Sequence, residues 1–242
     1  MSETLEDLGR TVRSGDAILF TGAGFSGDAR DLDGNPLPDA QQMIEELWPL
    51  CFDGAALDNS SLADLYDAVL LRAPDRLQAY IERRLRVGDA PLPPHLATWL
   101  SAPWKRIYTL NVDDLEAAVQ RQFSFPRPLE VVHLNGFVAD GAKALTFSTL
   151  QYASRLVGPD QIYRQLVDDL VSSPFVFAGT SLDEIVLWQH VELHRKRRGR
   201  AVADRPGSYL VSTHLPRARR VLLEAHAICW VEATVEQVAA FL

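Results

Sequence analysis

Four short clusters carry polar residues suited to chemistry, and each follows an apolar run. Gly22, Gly24 and Gly27 stand at the G-x-G-x-x-G spacing in GAGFSG, directly after Ala17–Thr21. Glycines at this spacing let a backbone approach a pyrophosphate, and exposed N–H groups of the turn can hold its charge. A tight turn without a ligand explains the same spacing almost as well. Asn111 and Asp113 follow Arg106–Leu110 in TLNVDD. An amide at a strand end can place a water or a ribose hydroxyl. Asp113 or Asp114 can cap the next helix, and capping is the preferred reading for Asp114. His133 and Asn135 leave the run Leu129–Leu134 in VVHLNG. Side chains alternate along a strand, so these two point the same way. A hydrogen-bonded core histidine is the competing reading of His133. Gly179, Thr180 and Ser181 follow the run Pro174–Ala178 in AGTSLDE, with Asp183 as a helix cap. They offer one close backbone approach and two hydroxyls.

The elements that must position these clusters alternate along the chain. Strands are expected at Ala17–Thr21, Arg106–Leu110, Leu129–Leu134, Pro174–Ala178, Ser208–Ser212 and Ile228–Val231. An opening helix carries Leu5, Leu8 and Val12 on one face. Helices capped by Asp39 and Ser61 and one begun at Asp75 follow the first strand, and a short one runs through Trp99. Later helices are expected from Asp113, near Asp160, after Asp183, after Pro216 and from Thr234. Alternation of this kind predicts an α/β fold, a doubly wound, Rossmann-like parallel sheet. The helical stretch at 39–104 would form a lobe inserted after the first strand, within a single domain spanning 1–242. Ligands of such sheets sit at the C-terminal strand ends, where all four clusters lie. Gly34, Pro36 and Pro38 prevent a helix from starting directly after Gly27. The glycine turn therefore opens into a long loop able to fold over a nucleotide as a lid.

Composition narrows the setting. The chain has 242 residues, 47% of them hydrophobic, enough for a full core. Its formal net charge of −8 argues against direct nucleic-acid binding. Two cysteines, Cys51 and Cys229, cannot build a four-cysteine zinc site or a disulfide framework. The first residues are polar and acidic, unlike a signal peptide, and no apolar run is long enough to cross a bilayer. A cytoplasmic protein without membrane association is expected. The apolar ending AAFL fits either a chain end packed into the core or the first domain of a longer protein.

Taken together and in order, GAGFS, LNVD, HLNG and GTSL resemble the sirtuin fold, from about Asp16 to Val231. The nearest likeness is to bacterial sirtuin-like domains that hydrolyse NAD in anti-phage defence, often as the effector part of a larger protein or complex. The resemblance implies that Gly22, Ala23, Gly24, Phe25 and Ser26 hold the pyrophosphate. It places Gly179, Thr180 and Ser181 on the phosphate and adenine-ribose side. Asn111 matches the family's catalytic asparagine, and Asp113 the aspartate beside the nicotinamide pocket. Two departures matter. The zinc-binding cysteines of the protein-deacylating members are absent, so no zinc is expected and deacylation is disfavoured. Asn135 stands where the family has its histidine before the glycine, with His133 two residues earlier. Asn135 is kept among the NAD-contacting residues and His133 as an auxiliary catalytic residue.

Nicotinamide leaves NAD as a neutral ring and needs no proton, through a transition state resembling an oxocarbenium ion. Loss of the usual histidine therefore argues against deacylation more than against hydrolysis. The expected activity is NAD hydrolysis to ADP-ribose and nicotinamide, with cyclisation as a variant. Control by a homo-oligomer, a partner protein or a longer chain is expected. The alternatives are a non-catalytic module that binds NAD or ADP-ribose and, third, a deacylase. His190 and His194, with Glu192 between them, have a spacing that a metal site can use. No third ligand is evident, and a helix surface is expected there. The basic run His194–Arg200 is read as a solvated helix end. The five tryptophans are read as core or interface residues.

Overall fold

The computed structural model describes residues 2–125, 128–157, 160–182, 188 and 206–242. The cap at Asp183, the His190–Glu192–His194 pattern and the basic run 194–200 lie outside the described residues. Six strands form one sheet: β1 (Ile18–Thr21), β2 (Arg106–Thr109), β3 (Val131–His133), β4 (Phe175–Ala178), β5 (Ser208–Ser212) and β6 (Ile228–Glu232). Their order is β3-β2-β1-β4-β5-β6, and every pair is parallel. This is the Rossmann-like order, which reverses direction between β1 and β4 and opens a crevice beyond their C-terminal ends.

The central strands β1 and β4 are buried at every position, as strands covered on both faces must be. Their alternation feeds two cores. Leu19 and Val176 pack with Leu8 of α1 (Ser2–Arg13), Trp99 of α5 (Pro94–Ser101) and Val119 of α6 (Leu115–Gln122). Phe20 and Phe177 pack on the other face, with α8 (Gln161–Ser172) supplying Tyr163 and Leu166 and α9 (Arg217–Glu224) supplying Leu223. A third cluster joins α2 (Ala40–Cys51), α3 (Leu62–Arg72) and α4 (Pro74–Arg84), which lie between β1 and β2 in the chain, to Val138, Ala142 and Leu145 after β3. The Tyr66 hydroxyl donates to the Ala142 carbonyl at 2.7 Å, fixing these helices to that segment. Trp48, Trp99 and Trp104 are buried, whereas Trp188 and Trp230 are half-buried.

Helix starts follow local chemistry. Asp39 on α2 and Thr234 on α10 (Val235–Ala239) form capping boxes. Ser61 and Asp160 cap α3 and α8. Helix α4 begins at Pro74 rather than Asp75, because proline is preset for a first turn whose N–H would be unpaired anyway. Helix α7 (Thr149–Val157) was not among the expected elements. Its signal was present in the sequence: the Ser148 hydroxyl accepts from the Gln151 N–H, and the Gln151 amide oxygen accepts from the Ser148 N–H. Asp114 does not cap α6. Its carboxylate accepts from the Val87 N–H at 2.7 Å and ties the exit of α4 to the β2 end.

The loop after Gly27 is anchored rather than loose. Asp31 is 1% exposed and accepts from the Asp33 and Asn35 N–H groups at 2.9 and 2.8 Å. Its other oxygen pairs with Arg84, which also grips both oxygens of Glu46. Arg83 pairs with Asp33 on the outside. The loop thus brings Leu37 and Pro38 beside the ends of β1 and β2, and ion pairs to α4 hold it in place.

Candidate active site

Backbone hydrogen bonds extend the sheet pattern past the strand ends and bring the four clusters together. Gly22 and Gly24 donate to the Ala178 and Gly179 carbonyls at 3.1 and 2.9 Å. Leu110 donates to Thr21, Leu134 to Thr109 and Val138 to Val112. The β1 and β4 turns touch backbone to backbone. A Cβ on Gly22 would stand 2.7 Å from the Gly179 carbonyl oxygen, and one on Gly24 would stand 3.1 Å from its Cα. Gly179 itself has φ +69, and a Cβ there would overlap the Phe25 amide. These glycines are required by the join between the turns, whether or not a ligand is present.

The join changes which amides are available. The N–H groups of Gly22, Gly24, Phe25 and Ser26 are all used within the protein. Among the described residues of the turn, Ala23 and Gly27 donate no such bond and both are exposed. They are the donors left for a phosphate.

Asn111 sits at the centre. Its amide nitrogen donates to the Gly22 carbonyl at 3.0 Å and to the Ser26 hydroxyl at 2.8 Å. A carbonyl can only accept, so the amide's orientation is fixed by its partner. Both N–H groups are spent, and the side-chain oxygen remains as an acceptor. Ser26, 3% exposed, in turn bonds to Asp113. Asp113 is 8% exposed and accepts from the Leu115 N–H at 3.1 Å. Burial raises its pKa to about 6, with help from the charge of Glu116 and against the Ser26 and Leu115 bonds and His133. Asp113 is therefore mostly ionised at neutral pH, in a place that water scarcely reaches.

His133 lies behind this unit. Its Nδ1 is 3.0 Å from the Asn111 backbone carbonyl, and its Nε2 is 2.7 Å from Glu116 Oε1. Burial alone would lower its pKa. The bond to Glu116 and its charge, the Asn111 carbonyl and Asp113 outweigh that, and the net shift is upward. Both ring nitrogens are engaged, so His133 is held inside the protein. Asn135 donates from its amide to the Leu110 carbonyl at 3.0 Å, while its buried side-chain oxygen has no partner.

Two cavities flank Gly24. The larger, about 810 Å³, opens over the ends of β4, β5 and β6, with Gly179, Thr180, Ser181, Thr213, Thr234 and Arg219 in its wall. The smaller, about 360 Å³, lies between the sheet and α2–α4. Its wall combines Asn111, Asp113 and Ser26 with apolar Met43, Leu85 and Phe147, and Leu37 and Pro38 of the anchored loop complete it. Behind the network lies a void of about 20 Å³, bordered by Thr109, Asn111, Asp113 and Glu116, with room for one water.

The structure thus brings Ala23, Gly24, Ser26, Asn111 and Asp113 to the smaller cavity, and Gly24, Gly179, Thr180 and Ser181 to the larger one. Gly22 and Phe25 support the turn from below, with Phe25 buried against Trp99. His133 and Asn135 line neither cavity. Glu116 escaped the sequence reading. Its place three residues after Asp113, at the start of a helix facing β3, was the available signal. No family model matches the chain, and no curated protein matches it.

Proposed function

We propose that the chain is a sirtuin-like NAD hydrolase, with α2–α4 as the inserted lobe of that fold. One observation carries the reading: Asn111, Ser26 and Asp113 form a hydrogen-bonded unit in the wall of a cavity that adjoins a nucleotide-sized cleft across Gly24. The adenosine half of NAD occupies the larger cleft beside Gly179, Thr180 and Ser181. The pyrophosphate crosses Gly24 and takes the Ala23 and Gly27 N–H groups. The nicotinamide riboside enters the smaller cavity.

The glycosidic C–N bond then breaks, and its electron pair neutralises the ring nitrogen. Nicotinamide leaves without a proton. The positive charge left on the ribose faces the Asp113 carboxylate, whose field is strong because the cavity wall is otherwise mostly apolar. Water bonds to the ribose carbon while donating one hydrogen bond to the Asn111 side-chain oxygen. Its departing proton passes to Asp113. The products are ADP-ribose and nicotinamide. By the same resemblance, the chain would serve as an anti-phage effector controlled by a partner, an oligomer or a longer chain.

Nicotinamide release from NAD by the full chain tests this, with Asn111→Ala as the control. Release that falls at least 100-fold in the variant supports hydrolysis. Release that persists in the variant, or that requires an acylated peptide, overturns it. A second reading, a module that binds NAD or ADP-ribose without cleaving it, draws on the buried histidine: both nitrogens of His133 are engaged, and among the described residues no histidine lines the smaller cavity. Tight NAD binding without release would decide for it.

A further inference from the structure

The pair formed by Glu116 and His133 is built more closely than a lone buried histidine requires. The Asn111 backbone carbonyl accepts from Nδ1, which places a hydrogen on that nitrogen. In a neutral ring, Nε2 would then be an acceptor. Yet Nε2 stands 2.7 Å from a carboxylate oxygen of Glu116. Two acceptors do not approach so closely without a proton between them. The pair therefore holds one proton, shared between Nε2 and Oε1, in a place where the two side chains are 10% and 15% exposed.

That proton lies at the back of the proposed reaction site. Nδ1 grips the backbone of Asn111, whose side chain has already spent both N–H groups on Gly22 and Ser26. Glu116 and Asp113 border the same one-water void. The charged groups that face His133 are Glu116 from α6 and Asp113 from the turn before it. The ring of Phe137 covers its other side at 4.7 Å and does not titrate.

We propose that Glu116 is a positioning residue: by keeping His133 doubly protonated, it fixes the backbone at Asn111 and sets the charge environment of Asp113. The proposal rests on the NAD-hydrolase reading for its kinetic consequence but not for its proton. Without the shared proton, either Nδ1 releases the Asn111 carbonyl or Nε2 is repelled by Glu116. Each moves the Asn111 backbone, and with it the acceptor that would orient water. Misplacement on this scale costs about 10- to 100-fold in rate with little effect on binding.

Two measurements on the full chain test the proposal separately. The first needs no substrate. The ring nitrogens of His133 are followed by NMR through a pH titration, with His133→Asn giving the assignment. In the parent protein the ring is expected to keep both protons to a higher pH than an ordinary histidine. In Glu116→Gln, which can still donate to Nε2 but holds no charge, the ring is expected to become neutral at a lower pH. Equal titration in the two proteins overturns the proposal. The second measurement is nicotinamide release. Glu116→Gln and His133→Asn are both expected to lose about 10- to 100-fold in kcat with KM within about threefold, and Glu116→Asp to regain part of the loss. Unchanged kcat in both variants overturns the positioning role. If the parent protein releases no nicotinamide, the hydrolase reading fails, and the shared proton still stands or falls on the titration. If Glu116→Gln does not fold, His133→Asn carries the kinetic arm, because asparagine can still reach the Asn111 carbonyl but not Glu116.

Discussion

The two cavities on either side of Gly24 are built from different materials. The larger, at the ends of three strands, mixes hydroxyls and the charged side chains of Asp28, Arg219 and Glu236 with apolar ones such as Val211, Leu215 and Val235. The smaller is walled mainly by aliphatic and aromatic side chains, among which a few polar groups are already bonded to one another. A surface of the first kind can hold a polar ligand in many ways, because each of its contacts competes with water. A surface of the second kind does little for a polar ligand in general but acts strongly on a charge that develops inside it. Under the proposed function, binding would fall to the first side and chemistry to the second.

The most severe way to break that division is to damage the backbone packed against Gly24, the residue common to both sides. Gly179→Ala is expected to cost more than about 4 kcal/mol, or to prevent folding, since it combines a left-handed backbone with an overlap against Phe25. Denaturant unfolding checks this, with Gly27→Ala as a control expected to fold normally, since a Cβ there meets only the Gly24 carbonyl at 3.5 Å.

Removing the charge of the smaller side comes next. Asp113→Asn is expected to lower nicotinamide release by about 100- to 1,000-fold while leaving NAD affinity within a few-fold. In the parent protein, release is expected to rise as pH increases through about 6, where Asp113 becomes a carboxylate. Stability should run the other way. The folded state raises this pKa from 3.8 to about 6, so it holds a proton that the unfolded chain gives up across that window. The advantage is present at low pH and is lost as pH rises through about 6. Asp113→Asn lacks this dependence. Its melting temperature relative to the parent should climb between pH 4 and 6 and level off above, by an amount worth at most about 3 kcal/mol.

The smallest effect belongs to the larger side. Ser181→Ala, at an exposed position in the cleft wall, is expected to raise KM about two- to fivefold with kcat unchanged, because a single solvated hydrogen bond contributes about 1 kcal/mol. A fall in kcat instead would show that the two sides do not divide the work.

Much of the frame was legible in the sequence because it depends on local signals. Apolar runs such as Ala17–Thr21 and Pro174–Ala178 suit buried strands. Asp39, Ser61, Asp160 and Thr234 announced their helices by the bonds they make within four residues. The convergence of Asn111, Ser26 and the two glycine turns followed from strand-end placement alone. What was hidden depends on partners far apart in the chain. The part-buried clamp of Asp31, Arg84 and Glu46 anchors a loop that the sequence left free to act as a lid, and Arg84 lies far along the chain from both carboxylates. Asp114 looks like a cap until Val87 is brought beside it. His133 reads equally as a site residue or a bonded core histidine, and only its distant partners, Glu116 and the Asn111 carbonyl, occupy both of its nitrogens. The proton state of a side chain is set by its neighbours, and no spacing rule encodes it.

The interlocked turns also limit how this chain can drift. Gly22 lies where Gly179 leaves no room for a side chain, Gly24 where it leaves little, and Gly179 where the β1 turn leaves none. Gly22 and Gly179 cannot be exchanged without shifting the facing backbone, and Gly24 only if Gly179 gives by a few tenths of an ångström. A lineage could shed Gly22 and Gly179 only together, after remodelling both crossovers, whereas Gly27 is free to wander. In a library of random variants, that pair would survive selection for folding even where every trace of activity had been lost.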